Sequence, residues 1–349
     1  MSDSARILRM PAGRRGKRAR AEGADEVARR VHALERELRS VRRELEDALE
    51  DRTRPEGLLI TLARLLQAGL GGLTWENVAQ LQRALYFAWH SEEVDEFGYD
   101  ARFAETIRPL WEFLYTVWWR VEAAGIDHVP DSGAGLLVAN HSGVLPYDGM
   151  MVKLAVRHQH PARRECRMLA LDMFALLPVL APLLSKGGEI RANPENAERV
   201  LRKGELVGVF PEGVKGVGKY FKERYKLARF GRGGFVRIAL RTGAPIIPCA
   251  VVGAEEIHPV VAKADWVGRP LGFPYFPITP TFPLLGLLGV VPLPTKWSID
   301  FADPIPMDGY GPDAADDPIL VNRLAEQVRS VIQRLIDGRL ARRRSLWFG

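Results

Sequence analysis

Cysteine is nearly absent from this chain: its 349 residues include only Cys166 and Cys249. Two thiols exclude a disulfide scaffold and a cysteine-rich zinc module, and they make a reducing cytosol the expected compartment. A secretory signal is also lacking, because no apolar stretch follows the basic start. Charge is missing altogether from residues 270–295, a length that would span a bilayer. Seven prolines fall inside it: Pro270, Pro274, Pro277, Pro280, Pro283, Pro292 and Pro294. Prolines at that density remove amide donors and block a helix. Irregular backbone facing lipid is forbidden in the bilayer core, so the segment reads as a packed wall or a surface-dipping loop. The apolar stretch 173–184 is too short to span and is broken by Pro178 and Pro182. No Gly-x-Ser-x-Gly elbow occurs, which argues against a serine hydrolase.

Apolar residues make up 47% of the chain, enough for a large core, and the length suits at most two domains. The net charge of +6 is unevenly placed: residues 1–20 carry +6, residues 339–349 carry +4, and the body between them carries −4. Basic ends suit an anionic membrane surface or nucleic acid. The body holds no nucleic-acid motif, so nucleic acid is not an expected partner.

Residues 1–22 read as a disordered basic tail. In 23–54, Val27, Val31, Leu34, Leu38, Val41, Leu45 and Ala48 alternate at spacings of four and three, a heptad seam on a charged helix. The pairs Arg30–Glu35 and Glu37–Arg42 favour a parallel homodimer through residues 27–48; a solvated helix lying on its own body is the alternative. Residues 57–125 read as a helical region, with helices at 58–70, 75–89 and 103–124. In the last of these, Trp111, Phe113, Tyr115, Trp118 and Trp119 serve the core. Residues 126–338 alternate apolar runs (135–139, 167–171, 206–210, 245–252, 297–301) with helical stretches (149–158, 194–203, 231–242, 316–337), and Gly243 caps the third helix. The expected fold is α/β: a mixed, largely parallel sheet flanked by helices, preceded by the helical region and the coiled-coil helix. Residues 339–349 form a basic, aromatic tail.

Two clusters follow strands directly. In Asn140-His141-Ser142-Gly143-Val144-Leu145-Pro146-Tyr147-Asp148-Gly149, a histidine stands at the carboxyl end of a strand, where α/β sheets bind ligands. A carboxylate on one imidazole nitrogen fixes the tautomer and lets the other nitrogen take a proton from an alcohol. A helix N-cap for Asp148 and a plain loop histidine are the structural alternatives. Phe210-Pro211-Glu212-Gly213 places a second carboxylate at the same sheet edge; alone it is also an ordinary turn. The run Gly213-Val214-Lys215-Gly216-Val217-Gly218-Lys219-Tyr220 has the spacing of a nucleotide-binding P-loop up to its last position. There Tyr220 cannot replace the magnesium-ligating Ser or Thr, and Glu212 would face the phosphates, so nucleotide is not expected. Lys215, Lys219, Lys222, Arg224, Lys226, Arg229 and Arg232 form a basic run that reads as a solvated face or as a site for phosphate groups or anionic headgroups.

The order of these motifs, with Ala244-Pro245-Ile246-Ile247-Pro248 after them, resembles the glycerolipid acyltransferase family over residues 115–338. The resemblance implies an acyl-CoA or acyl-carrier-protein donor, direct transfer to a glycerolipid hydroxyl, no metal or other cofactor, and peripheral work at the inner face of a membrane. It makes His141 the general base with Asp148 its partner. Pro211, Glu212, Gly213, Lys215 and Arg191 then bind the acceptor, and Pro245 and Pro248 border the acyl pocket. Six residues separate His141 from Asp148 where the family usually has four. Val214-Lys215 stands where the family has Thr-Arg, and Lys lacks the bidentate fork of Arg. Three readings stay open: a lysophospholipid-type acceptor, a neutral acceptor such as diacylglycerol or a long-chain alcohol, and a non-enzymatic membrane-binding coiled-coil protein on a degenerate fold. On the membrane side, the segment 273–294 and the cations and aromatics of 342–348 are the expected contacts.

Overall fold

The structure is a computed structural model that describes residues 93–142, 147–170, 180–268 and 275–349. Contacts divide the chain into two units, Met1–Ala79 and Gln80–Gly349, and every described residue belongs to the second. The basic start, the heptad helix with its dimer seam and the helices expected at 58–70 and 75–89 lie outside the described residues.

Among the described residues there are nine strands: β1 (Glu122–Ala124), β2 (Gly135–Ala139), β3 (Cys166–Ala170), β4 (Ile190–Arg191), β5 (Leu206–Val209), β6 (Ile246–Val252), β7 (Ala262–Ala264), β8 (Phe276–Ile278) and β9 (Ser298–Phe301). Seven form one sheet in the order β1-β9-β6-β2-β5-β3-β4, and β7 and β8 make a separate two-stranded hairpin. Within the large sheet only β6 and β9 run antiparallel. The central strands β2 and β6 are buried along their whole length. Strands covered on both faces must be apolar throughout, which is why they appear in the sequence as unbroken runs. Burying each Leu or Ile of these strands contributes about 1.5–3 kcal/mol.

The principal helices are α1 (Ala101–Phe113), α2 (Tyr147–Gln159), α3 (Pro194–Arg202), α4 (Gly234–Thr242) and α5 (Pro318–Arg342). Met151, Val152 and Ala155 of α2 pack on one face of the sheet with Tyr115, Trp119 and Trp297. α3, α4 and α5 cover the other face. The connection from β2 through α2 to β3 moves one way across the sheet, and that from β5 through α4 to β6 moves back. Right-handed crossovers in opposite directions must use opposite faces. The chain therefore leaves the adjacent strands β2 and β5 toward opposite sides, which opens a crevice at their carboxyl ends.

The helix expected over 103–124 stops early. α1 ends at Phe113, a π turn occupies Leu114–Trp118, and Arg120 has a positive φ of 46°. The Trp119 amide donates to Leu114 O and that of Val121 to Tyr115 O. This turn drives the Trp119 ring onto Trp297, with centroids 4.5 Å apart, and frees Glu122–Ala124 to pair with β9. The core role expected of Trp119 and Tyr115 is met, since both are buried. Gly243 has φ 67°, the left-handed cap expected of it.

α5 begins at the N-cap Asp317, whose Oδ1 accepts from the Ile319 and Leu320 amides, with Pro318 in the first turn. It continues five residues past its expected end to Arg342. The segment 339–349, expected as a basic tail, is docked instead. Arg339 pairs with Asp300, Arg343 Nη1 donates to Glu256 Oε1 at 2.7 Å, and the Lys296 amide donates to Leu346 O. Two of its four arginines are thus occupied internally. Among the described residues no helix is long and apolar enough to cross a membrane.

Candidate active site

Asn140, the first residue beyond β2, sends its side-chain amide across to β6. Its Nδ2 donates to Val251 O at 2.9 Å, and its Oδ1 accepts from the Val251 amide at 2.7 Å. A side chain thus supplies the last rung between two parallel strands, and the chain beyond it is fixed where it leaves the sheet. The next residue is His141.

The His141 ring is held on two sides. Its Nδ1 lies 2.7 Å from Asp148 Oδ2, and its face stacks on Phe210, centroids 4.4 Å apart at 15°. Asp148 is fully buried in the first turn of α2. Its Oδ2 also accepts from the Ser142 amide at 2.8 Å and from Ser142 Oγ at 3.3 Å. A buried carboxylate with backbone donors of this kind is fixed in place. With Nδ1–H donating to Asp148, Nε2 is the ring's proton acceptor and points away from the carboxylate. The pair is in contact although six residues separate the two in sequence.

Glu212, at the end of β5, grips the main chain of the same residue. Its Oε1 accepts from the His141 amide at 3.1 Å. Its Oε2 accepts from the Ala228 amide at 2.7 Å and pairs with Lys219 Nζ at 2.8 Å. Lys219 also reaches Glu255 Oε1 at 3.4 Å, and Glu255 Oε2 accepts from the Tyr225 amide. All three charged side chains are buried. Burial pushes the Glu255 carboxyl up to about 7, against the opposing pull of Lys219. Lys219 therefore balances Glu212 first. In this structure the Glu212 carboxylate is turned inward as a backbone anchor.

The turn Val214–Val217 closes over this network. A Cβ on Gly216 would sit 2.8 Å from His141 Cβ and 2.9 Å from Glu212 Cβ. A side chain there would have to push His141 or Glu212 aside, so glycine is favoured by contact with the histidine itself.

The Acyltransferase family model matches residues 120–252. The uncharacterised protein Rv0502 of Mycobacterium tuberculosis is 51% identical over 257 residues, covering 73% of this chain and 72% of that one. The chain belongs to the glycerolipid acyltransferase family. It is an acyltransferase. A human protein described as a DGAT1/2-independent enzyme synthesizing storage lipids is 26% identical over 238 residues, 67% of this acyltransferase and 66% of its own length. Among solved structures, the 1-acyl-sn-glycerophosphate acyltransferase PlsC of Thermotoga maritima covers 76% of this chain and 89% of its own at 16% identity, with a TM-score of 0.46.

The structure brings His141, Asp148, Pro211, Glu212 and Gly213 together at the crevice of this acyltransferase. Lys215 is exposed on the turn that follows. Arg191 is exposed on the edge strand β4, three strand positions from β2 and so about 14 Å across the sheet. Pro248 pairs with Val138 inside the sheet. Pro245 precedes β6, at the end of the sheet opposite His141. A cavity of about 410 Å³ lies beside α2, with Trp111, Met150, Leu154 and Arg167 among its walls; neither proline borders it. Sequence reasoning missed the parts played by Asn140, Phe210, Gly216, Lys219 and Glu255. Only Asn140 left a signal, an amide side chain directly after an apolar strand.

Proposed function

We propose that this acyltransferase moves a fatty acyl group from an acyl thioester, carried on CoA or on acyl-carrier protein, to a hydroxyl of a glycerolipid such as a lysophospholipid. The carrying observation is the 2.7 Å contact of His141 Nδ1 with buried Asp148, which leaves Nε2 as the base. Nε2 takes the hydroxyl proton as the acceptor oxygen bonds to the thioester carbonyl carbon. The tetrahedral adduct collapses, the C–S bond breaks, and the imidazolium returns its proton to the departing thiolate. Asp148 supports the transient positive charge on the ring, as in other His–carboxylate pairs. Direct attack needs no covalent enzyme intermediate. The glycerolipid acceptor lies in a bilayer while the thioester donor comes from water, which supports peripheral work at the inner membrane face.

A second reading, a neutral acceptor, draws on the placement of the cations. Arg191 stands on the edge strand β4 and Lys215 is exposed, and the human relative is described by storage-lipid synthesis.

The test is thiol release by the purified full-length chain with acyl-CoA or acyl-carrier protein and, in parallel, lysophosphatidic acid, diacylglycerol or a long-chain alcohol. His141→Ala is expected to lower turnover about 10²–10⁴-fold with the fold retained. Undiminished turnover in that variant would overturn the mechanism. No thioester consumption by wild type with any acceptor would favour the non-enzymatic reading.

A further inference from the structure

The charge-free, proline-rich stretch belongs to an excursion between β6 and β9 that exposes large apolar side chains. Leu284 is 83% exposed and Leu288 57%. Leu285 and Val291 beside them are also exposed, as is Trp266 on the same excursion. Monomeric proteins seldom display such clusters without a partner.

The turn that carries them is firmly held. His258 Nε2 lies 2.9 Å from Val290 O, and the indoles of Trp118 and Trp119 donate to Pro292 O and Leu293 O. It is also tied to the reacting centre. The His258 ring faces that of Tyr147, centroids 6.4 Å apart, and Tyr147 directly precedes Asp148. On the other flank, Tyr275 Oη donates to Val217 O at 3.0 Å, and the Phe221 amide donates to Val260 O. Val217 follows Gly216, which touches His141.

Cations sit on that flank. Lys215 and Lys222 are exposed, and Lys263 Nζ lies over the rings of Tyr220 and Tyr275 at 4.4 and 4.8 Å. Apolar side chains beside lysines match a bilayer with anionic headgroups. The docked 339–349 segment has fewer free charges for that purpose than its sequence promised.

We propose that the turn bearing Leu284, Leu285, Leu288 and Val291 enters the outer apolar layer of an anionic bilayer, with the exposed Lys215 and Lys222 meeting the headgroups. The acceptor then passes from the bilayer to His141 along the flank of this excursion. The inference rests on the acyltransferase reading for its purpose, but its binding step is separable from it.

The experiment is co-flotation of the full chain with vesicles of phosphatidylcholine containing one-third phosphatidylglycerol. It compares wild type, Leu284→Asp/Leu288→Asp, and Ile319→Asp, a 79% exposed site on α5 that serves as control. Thiol release is followed in parallel with short-chain substrates dissolved as monomers. The double variant is expected to lose at least about tenfold in vesicle binding, to keep monomeric-substrate turnover, and to leave the control unaffected. Unchanged binding in the double variant, or an equal loss in the control, would overturn the proposal. So would a fall in solution mass by light scattering in the double variant, which would make the turn a contact between copies. If vesicle binding responds as stated while no variant releases thiol, the docking surface stands and the acyltransferase reading fails.

Discussion

Asp148 and Glu212 both end at His141, but they hold different parts of it. Asp148, at the start of α2, contacts the ring. Glu212, in the connection after β5, contacts the main-chain amide. Among the described residues, Asp148 has no cationic partner besides the histidine, whereas Glu212 is matched by Lys219. The carboxylate facing the ring can serve a proton transfer, because its balancing charge appears only when the ring is protonated. The one facing the backbone is balanced permanently and works as a fastening. Buried acids in one site thus divide into chemical and architectural roles according to what neutralises them.

The widest break in this comparison is expected from Asp148→Asn. It should lower kcat about 10²–10⁴-fold through loss of the productive imidazole tautomer, while circular dichroism shows the fold retained. A near-normal kcat would remove Asp148 from the proton-transfer scheme.

Lys219→Met should act through stability. It leaves Glu212 buried with amide donors alone, and breaking a buried pair costs about 3–5 kcal/mol. The melting temperature should fall by about 10 °C. A variant melting with wild type would show that the backbone amides suffice.

A third effect depends on pH. Burial raises the Glu255 carboxyl to about 7, above its value in the unfolded chain. Between the two values the folded state keeps a proton that the unfolded state has released. The resulting stability is complete below the unfolded value and drains as pH rises toward 7, by no more than about 3 kcal/mol. Glu255→Gln should remove this slope. The difference between the wild-type and variant melting profiles over roughly pH 4.5–7.5 is the measurement, and parallel profiles would refute the assignment.

Gly216→Ala gives the smallest expected change. Its methyl group must displace His141 or Glu212 at a cost of about 1–3 kcal/mol. Because the strain falls on the histidine, turnover should drop more than the melting temperature suggests. An unaffected rate would mean that the turn yields instead of the site.

The central strands and the His141, Asp148 and Glu212 positions were legible in the sequence because unbroken apolar runs mark strands buried on both faces, and polar residues at their ends stand out. β1 and β4 were not. Each is two or three residues long and exists through its neighbour's hydrogen bonds rather than through a pattern of its own. Lys219 was misleading. In sequence it belongs to a basic run and to an incomplete P-loop spacing, and only folding brings it between Glu212 and the distant Glu255. The docking of Arg339 and Arg343 was hidden for the same reason, since their acids Asp300 and Glu256 lie 39 and 87 positions away.

The antiparallel placement of β9 against β6 has a consequence for how this molecule can change. β6 finishes and β9 begins at the same end of the sheet, the end that carries His141. There the excursion is pinched shut: Thr295 Oγ1 donates to Gly253 O at 2.9 Å, and a Cβ on Gly253 would lie 2.4 Å from Lys296 O. The chain between these two points leaves and returns through one narrow stem, and its inner part, with Glu255, His258 and Tyr275, is tied to the site. Loop-closure cost grows only slowly with length. The outer turn is therefore the exchangeable part. Grafting a different sequence over 284–288 alone should redirect the surface this loop meets while the chemistry beneath it stays in place.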